Sequence, residues 1–203
     1  IYPESVKEQA KFLNSLAKYG VNHLQSDPST GWHYALDHFW LASQIAGFLA
    51  GREKDQVVCL DVGCGKSRFH NYLEDTLGIF IIGIDRIEGY CKQDILMNVN
   101  YVGDFHSFDR LPENSVDLIY WLSSIEHNEL PNIKALFEKS MRLLKPDGLF
   151  LATIPIAPKT SWFEPSEQTN LNLEDVQEIF GNWEIVGDYT TALSQYRNDV
   201  LHL

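Results

Sequence analysis

Positive charge is scarce in this sequence. Sixteen Lys and Arg stand against 28 Asp and Glu, a formal net charge of −12 over 203 residues. Attraction to phosphates supplies most nucleic-acid affinity, so a generic DNA or RNA binder is not expected, and no Lys/Arg cluster offers a local exception. Cysteine is scarce too: Cys59, Cys64 and Cys91, at irregular spacing. An odd count without a framework argues against structural disulfides and fits a reducing, cytoplasmic compartment. The CxxC and HxxxH spacings of structural zinc sites are missing, so no metal is expected. No apolar run approaches the roughly eighteen residues of a membrane span, so no membrane partner is expected. Glu4, Lys7 and Glu8 in the first turns speak against a signal peptide, and the opening Ile1 in place of Met leaves room for preceding sequence. Internal repeats and low-complexity tracts are absent.

What remains is ordinary globular material, 44% apolar and 22% charged. Val6, Ala10, Leu13, Leu16 and Ala17 predict a helix over 4–19, stopped by Gly20. Residues 21–35 carry turn chemistry in Asp27, Pro28, Ser29 and Gly31 and read as loop. A second helix is expected from about Asp37 to Ala50. From residue 57 continuous apolar runs alternate with helical stretches: 57–62, 79–85, 100–104, 116–122 and 148–154. Such runs suit strands buried on both faces of a parallel sheet. An amphipathic helix is expected near 131–144, a further helix at 171–180 and a sixth strand at 183–190, with a crossover helix over 86–99. The pattern is that of an α/β sandwich with a mostly parallel sheet of six or seven strands. We read it as one domain: a helical cap over 1–56, a core over 57–156 and a C-terminal helix and strand over 157–203.

The chemistry concentrates at the expected strand ends. Asp61-Val62-Gly63-Cys64-Gly65-Lys66-Ser67 closes the first strand. Gly63 and Gly65 allow a tight turn and close approach of a ligand to the backbone, and ligands of open α/β sheets bind beyond the carboxyl ends of the strands. A dinucleotide loop needs a small residue where Arg68 stands, and Asp61 would face a pyrophosphate unfavourably. The Walker spacing GxxxxGK[ST] is missing as well. An acid at Asp61 instead suits a ligand with a cationic end. Asp85, twenty residues after Gly65, can accept both hydroxyls of a ribose. Asp104 can accept an exocyclic amine of adenine, with Phe105 against the ring. The fourth run ends in Ser123-Ser124-Ile125-Glu126-His127. Polar groups at four successive strand ends suit an adenosine with a positively charged amino-acid tail.

With these residues in view, DVGCGKS, GIDR, VGDF, LPENSVDLIYWLSSIEHN and LLKPDGLFLATIP resemble the ordered motifs of class I S-adenosylmethionine-dependent methyltransferases, over roughly residues 57–156. The resemblance implies a Rossmann-like three-layer sandwich and S-adenosyl-L-methionine as cofactor, with S-adenosylhomocysteine as product. By motif position, Asp61, Gly63, Cys64 and Gly65 border the methionine end. Asp85, with Arg86 beside it, serves the ribose; Asp104 and Phe105 serve the adenine; Ser123 lies near the methionine amino group. Ser67 replaces a third glycine that many members carry. Ser123 replaces the first acid of a metal-binding ExxEH run found in some relatives, leaving only Glu126 and His127.

His127 is the natural general base, histidine being the side chain that titrates nearest neutrality; lining the cavity is its other reading. Glu126 either orients it or caps the helix near 131. Trp32, His33, Tyr34, His38 and Trp40 form an aromatic-rich stretch. Its plain role is packing of the cap onto the sheet, and its functional one is a cover of Trp32 and Tyr34 in a loop, with His38, over cofactor or substrate. Trp162 and Phe163 stand in the stretch after the fifth strand, as a substrate wall or a loop anchor. Cys64 has no neighbour in sequence that demands a thiolate. The function expected is in-line transfer of a methyl group to an O or N of a small-molecule acceptor, such as a sugar, a quinone-like ring or another metabolite. The rivals are a non-catalytic S-adenosylmethionine-binding module serving a partner protein, and a nicotinamide-dependent oxidoreductase disfavoured by Arg68 and Asp61.

Overall fold

The computed structural model describes residues 11–12, 14–18, 32–65, 69–85, 105–164 and 167–181. Four strands form its main sheet: β1 (Val58–Val62), β2 (Phe80–Ile84), β3 (Val116–Leu122) and β4 (Leu144–Thr153). They are ordered β2-β1-β3-β4, and every neighbouring pair is parallel. The chain moves from β1 to β2 on one side, and β3 then lies on the other side of β1. The carboxyl ends of β1 and β3 therefore flank the crevice where the direction of winding reverses, which is where open α/β sheets bind ligands.

Side chains alternate across this sheet with the period of two that a strand imposes. Leu60, Ile119 and Trp121 point to one face, where α3 (Leu130–Leu143) brings Ile133, Leu136 and Phe137 and α4 (Leu173–Phe180) brings Val176, Ile179 and Phe180. Cys59, Leu118 and Tyr120 point to the other. There α1 (Trp32–Phe48) supplies Leu41 and Ile45, α2 (Phe69–Leu77) supplies Phe69 and Leu73, and the helical residues Phe12 and Leu16 join them. The result is helix on sheet on helix. Among the described residues no helix is long and apolar enough to cross a membrane.

At the amino edge of the sheet, Asp117 takes the place of a missing ladder. Its carboxylate accepts the Val58 N–H at 2.9 Å and the Lys145 ammonium at 2.8 Å. This explains a difference from the sequence reading, in which the strand starts at 148. Pairing already begins at Leu144 opposite Val116, then jumps to Leu149 opposite Leu118. The chain Lys145–Gly148 bulges out because Pro146 has no N–H to give to a ladder, while Lys145 reaches back to Asp117.

Three further differences concern the expected elements. α1 starts at Trp32, so Trp32 and Tyr34 lie in a helix and not in a loop. No Pro or Gly interrupts Trp32–Asp37, and Asp37, read as a helix start, uses its carboxyl for a tertiary contact instead of a cap. The stretch after β4 is not plain loop: β5 (Ser161–Phe163) and β6 (Gln168–Asn170) form an antiparallel hairpin that carries Trp162. The helix expected at 171–180 begins at Leu173, where Asn172 accepts the Asp175 N–H at 2.8 Å as an N-cap. The strands expected at 100–104 and 183–190, and the crossover helix at 86–99, lie outside the described residues.

Trp121 anchors the face under α3 and α4. It is fully buried, with Phe150 edge-on at 4.8 Å between ring centroids and Phe137 at 6.2 Å. Replacing Trp121 by Ala is expected to cost about 3–5 kcal/mol, read as a lowered urea midpoint; an unchanged midpoint would contradict this packing.

Candidate functional site

The turn after β1 is fixed to the end of β2 by its own backbone. The N–H groups of Gly63 and Cys64 both donate to the Ile84 carbonyl, at 2.7 and 3.1 Å. The Gly65 N–H donates to Asp85 Oδ2 at 2.8 Å. Gly63 and Gly65 hold φ of +79° and +55°, the left-handed region that other residues enter at a cost. At Gly63 space is decisive too. A Cβ there would coincide with the Ser124 side chain, 2.8 Å from its Oγ. Ser124 in turn donates its hydroxyl to the Val62 carbonyl at 2.6 Å. The end of β3 is thus pressed against the glycine turn.

Asp61 lies beneath this turn. Burial pushes its carboxyl from 3.8 up to about 7; the Tyr120 hydroxyl opposes the rise and the Asp85 charge adds to it. The hydroxyl sits beside the carboxyl without regular hydrogen-bond geometry. Asp61 and Asp85 therefore share one end of the molecule, as a single ligand would require. Cys64 is buried in the turn as a free thiol.

Ser123, at φ +46°, turns the chain away from β3. Its N–H donates to Thr153 Oγ1 at 3.0 Å and its hydroxyl to Asp37 Oδ2 at 3.2 Å. Asp37 is buried on α1, which raises its carboxyl to about 6, with the Ser123 bond pulling the other way. The next turn, Ile125–His127, carries Glu126 and His127. Glu126 is 7% exposed, and among the described residues its Oε2 has no hydrogen-bond partner. Burial first and the Asp37 charge last raise it to about 8, against a bond to its own backbone. His127 Nδ1 lies 3.0 Å from the Glu167 carbonyl of the β5–β6 hairpin. A carbonyl only accepts, so Nδ1 carries a hydrogen in this bond. Thr169 closes the same junction by donating to the Asn128 carbonyl at 2.7 Å.

Of the expected site residues, Asp61, Gly63, Cys64, Gly65, Asp85, Ser123, Glu126 and His127 gather along this edge. His38 is buried with its ring 4.1 Å from that of Phe69, inside the layer between α1 and α2. Trp162 is 42% exposed on β5. Phe105 opens a short turn, Phe105–Arg110. Arg86 and Asp104 lie outside the described residues, as do the side chains of Trp32 and Tyr34. Sequence reasoning missed Asp37 as a site residue. A carboxylate on the apolar side of a helix otherwise built for packing was the available signal.

Two outcomes are expected. Gly63→Ala should abolish ligand binding at the turn and lower the thermal midpoint far more than Gly78→Ala, whose left-handed glycine faces open space; equal effects would sink the close-approach argument. Stability should also depend on pH with a definite sign. Asp61 and Glu126 bind protons more tightly folded than unfolded, so stability falls as pH rises through their raised values. His70, lowered by burial to about 4, acts in the opposite sense and only below its ordinary 6.5. Between pH 6.5 and 8 the carboxyls act alone among these groups: the thermal midpoint should fall, and Glu126→Gln should flatten the fall. A midpoint that rises across this window would refute the assignment.

A family profile described as a methyltransferase domain matches residues 60–152, which hold most of the sheet and the glycine turn, Asp85, Ser123, Glu126 and His127. The chain is 27% identical over 157 residues to the phosphoethanolamine N-methyltransferase of Plasmodium falciparum, covering 71% of this chain and 59% of that protein. It is 32% identical over 106 residues to a sterol 24-C-methyltransferase of Gibberella zeae, covering 48% of this chain and 27% of that protein. It thus spans less than two thirds of either. A solved S-adenosylmethionine-dependent methyltransferase from Leishmania major shares the fold, with a TM-score of 0.57 at 16% identity over 88% of this chain and 79% of that one. Residues 60–152 thus match a methyltransferase-domain profile, and the fold is that of solved S-adenosylmethionine-dependent methyltransferases.

Proposed function

We propose that this chain transfers a methyl group from S-adenosylmethionine to a nitrogen or oxygen of a small-molecule acceptor. The observation that carries the reading is the tie between the glycine turn and Asp85 at the switch point of the sheet, with Asp61 buried beneath it. These residues fit an adenosyl sulfonium. Gly63 and Gly65 clear the backbone for close approach, Asp85 stands where ribose hydroxyls need an acceptor, and Asp61 adds negative charge toward a cationic centre. A pyrophosphate would meet those acids with repulsion. Asp104, Phe105 and Arg86 complete the adenosine site in this reading.

When bound, the sulfonium supplies a methyl group already activated for displacement. The chain's own task is alignment, exclusion of water and management of a proton. Alignment of two reactants is worth up to about 7–11 kcal/mol. In this reading His127, whose Nδ1 meets the Glu167 carbonyl, is the base that takes a proton from the acceptor. The β5–β6 hairpin, with Trp162, walls the acceptor side in this assignment, with Trp32, Tyr34 and His38 as further candidates for that side. Two of the curated relatives are named as phosphoethanolamine N-methyltransferases, which favours nitrogen as the acceptor atom. The net charge of −12 favours a small molecule over a nucleic acid. Free thiols at Cys59 and Cys64 are in keeping with a cytoplasmic setting.

The test begins with isothermal titration of S-adenosylmethionine and S-adenosylhomocysteine, both expected to bind. Asp85→Ala should weaken both at least tenfold. His127→Ala should leave their affinities within about twofold and lower methyl transfer to a responsive acceptor by about 10²–10⁴-fold. Absence of binding by the folded wild type would end the reading. Binding without transfer to any amine or hydroxyl acceptor, phosphoethanolamine included, would favour a non-catalytic cofactor-binding module.

A further inference from the structure

Four carboxyl groups are buried at the edge that the proposed reaction uses: Asp37, Asp61, Asp85 and Glu126. Two have clear employment. Asp85 holds the glycine turn, and Asp61 lies against Tyr120 under the cofactor side. The other two belong to a separate group on the far side of Ser123. Asp37 arrives from α1 and Glu126 from the turn after β3, close enough for the Asp37 charge to be felt at Glu126. Among the described residues only the Ser123 hydroxyl bonds Asp37, and the buried Glu126 Oε2 has no partner. Arg52, Lys134, Lys139 and Lys145 pair with Asp147, Glu178, Asp109 and Asp117.

A buried acceptor left unmet costs about 1–3 kcal/mol, and more if it is charged. Two buried carboxyls without a cation between them cost more again, since each disfavours the ionised form of the other. An interior kept for stability alone would carry apolar residues here. We infer that Asp37 and Glu126 form an ammonium-binding subsite, closed by the Ser123 hydroxyl, in which a guest N–H satisfies Glu126 Oε2. The guest must carry at least one N–H. A quaternary ammonium offers charge without a donor and leaves the orphaned oxygen as it was.

The inference rests on the reading of the preceding subsection. Within it, two ammonium groups share this chemistry: the α-amino group on the methionine half of the cofactor, and the amino group of an amine acceptor. The site's chemistry is common to both, and titrations separate them. S-Adenosylhomocysteine carries the amino-acid tail, and 5′-methylthioadenosine lacks it. Ethanolamine added to protein saturated with S-adenosylhomocysteine reports an acceptor ammonium, with ethylene glycol as its uncharged counterpart.

Asp37→Asn and Glu126→Gln keep shape and remove charge. Each is expected to weaken binding of one ammonium ligand at least tenfold and to leave its uncharged counterpart within about twofold. A loss confined to S-adenosylhomocysteine assigns the subsite to the cofactor; a loss confined to ethanolamine assigns it to the acceptor. The unliganded thermal midpoint at pH 8 should not drop in Glu126→Gln, because a buried carboxyl lacking a cation has been removed. The inference is overturned if both variants bind S-adenosylhomocysteine and ethanolamine as the wild type does. It is overturned equally if they lose S-adenosylhomocysteine and 5′-methylthioadenosine together with a lowered midpoint, the pattern of a structural role. A wild type that fails to bind S-adenosylhomocysteine at all counts against the cofactor reading and not against the pairing of Asp37 with Glu126, which the pH 8 midpoint of Glu126→Gln then decides.

Discussion

The contact between Gly63 and Ser124 is the constraint on which the rest of the edge depends. Two parallel strands must end side by side, and the chain leaving each must turn in the space between them. Gly63 makes room by having no side chain, and Ser124 uses that room to bond the Val62 carbonyl. This brings the residues after β3 within reach of those after β1. It also sets the direction in which Ser123 leaves the sheet, toward Asp37 on α1. A helix that precedes the sheet in sequence is thereby tied to a strand nearly ninety positions later. The site is assembled from three chain segments because one glycine permits the approach.

Buried negative charge with no ion-pair partner among the described residues is the second organising feature. Proteins seldom bury carboxylates unless they are paired. Where pairing is structural in this molecule it is plainly visible: Asp117 at the opposite edge has both the Lys145 ammonium and a backbone donor. The contrast between the two edges is informative. The amino edge resolves its buried acid internally. The carboxyl edge leaves Asp61, Asp37 and Glu126 raised to about 7, 6 and 8, values at which protons partly stand in for an absent cation. Under the proposed reading, such an edge would exchange protons for a cationic guest.

Much of this was legible in the residues. Continuous apolar runs announced β1, β2, β3 and β4 because a sheet covered on both faces requires apolar side chains at every position. The glycine turn and Asp85 were legible because a tight turn and a carboxylate at a strand end are local features. The start of α1 was not, because residues 32–36 are compatible with helix or loop and only the contact of Asp37 with Ser123 reveals which face turns inward. The β5–β6 hairpin was missed for a similar reason: three-residue strands carry too little alternation to register. Its value lies in the tertiary hold of Glu167 and Thr169 on the turn bearing His127. The proposed pairing of Asp37 with Glu126 was invisible in principle, since no spacing in a sequence says which helix residue will face which loop.

The same features bear on which cofactor the edge can accept. A dinucleotide site and an adenosyl sulfonium site share the fold, the switch point and a glycine turn, and both use an acid at the end of β2. They differ in the charge that follows the ribose, two phosphates in one and a sulfonium with an amino-acid tail in the other. Asp61 beneath the turn, with Asp37 and Glu126 beyond it, makes the region past the ribose acidic, and burial strengthens that field by removing the water that would screen it. Moving a pyrophosphate into such a field would place like charges within a few ångströms of one another in a poorly screened space. Moving a sulfonium or an ammonium there relieves repulsion already present. In the proposed reading the discrimination requires no dedicated contact to the ligand: it follows from acids that have no cationic partner among the described residues.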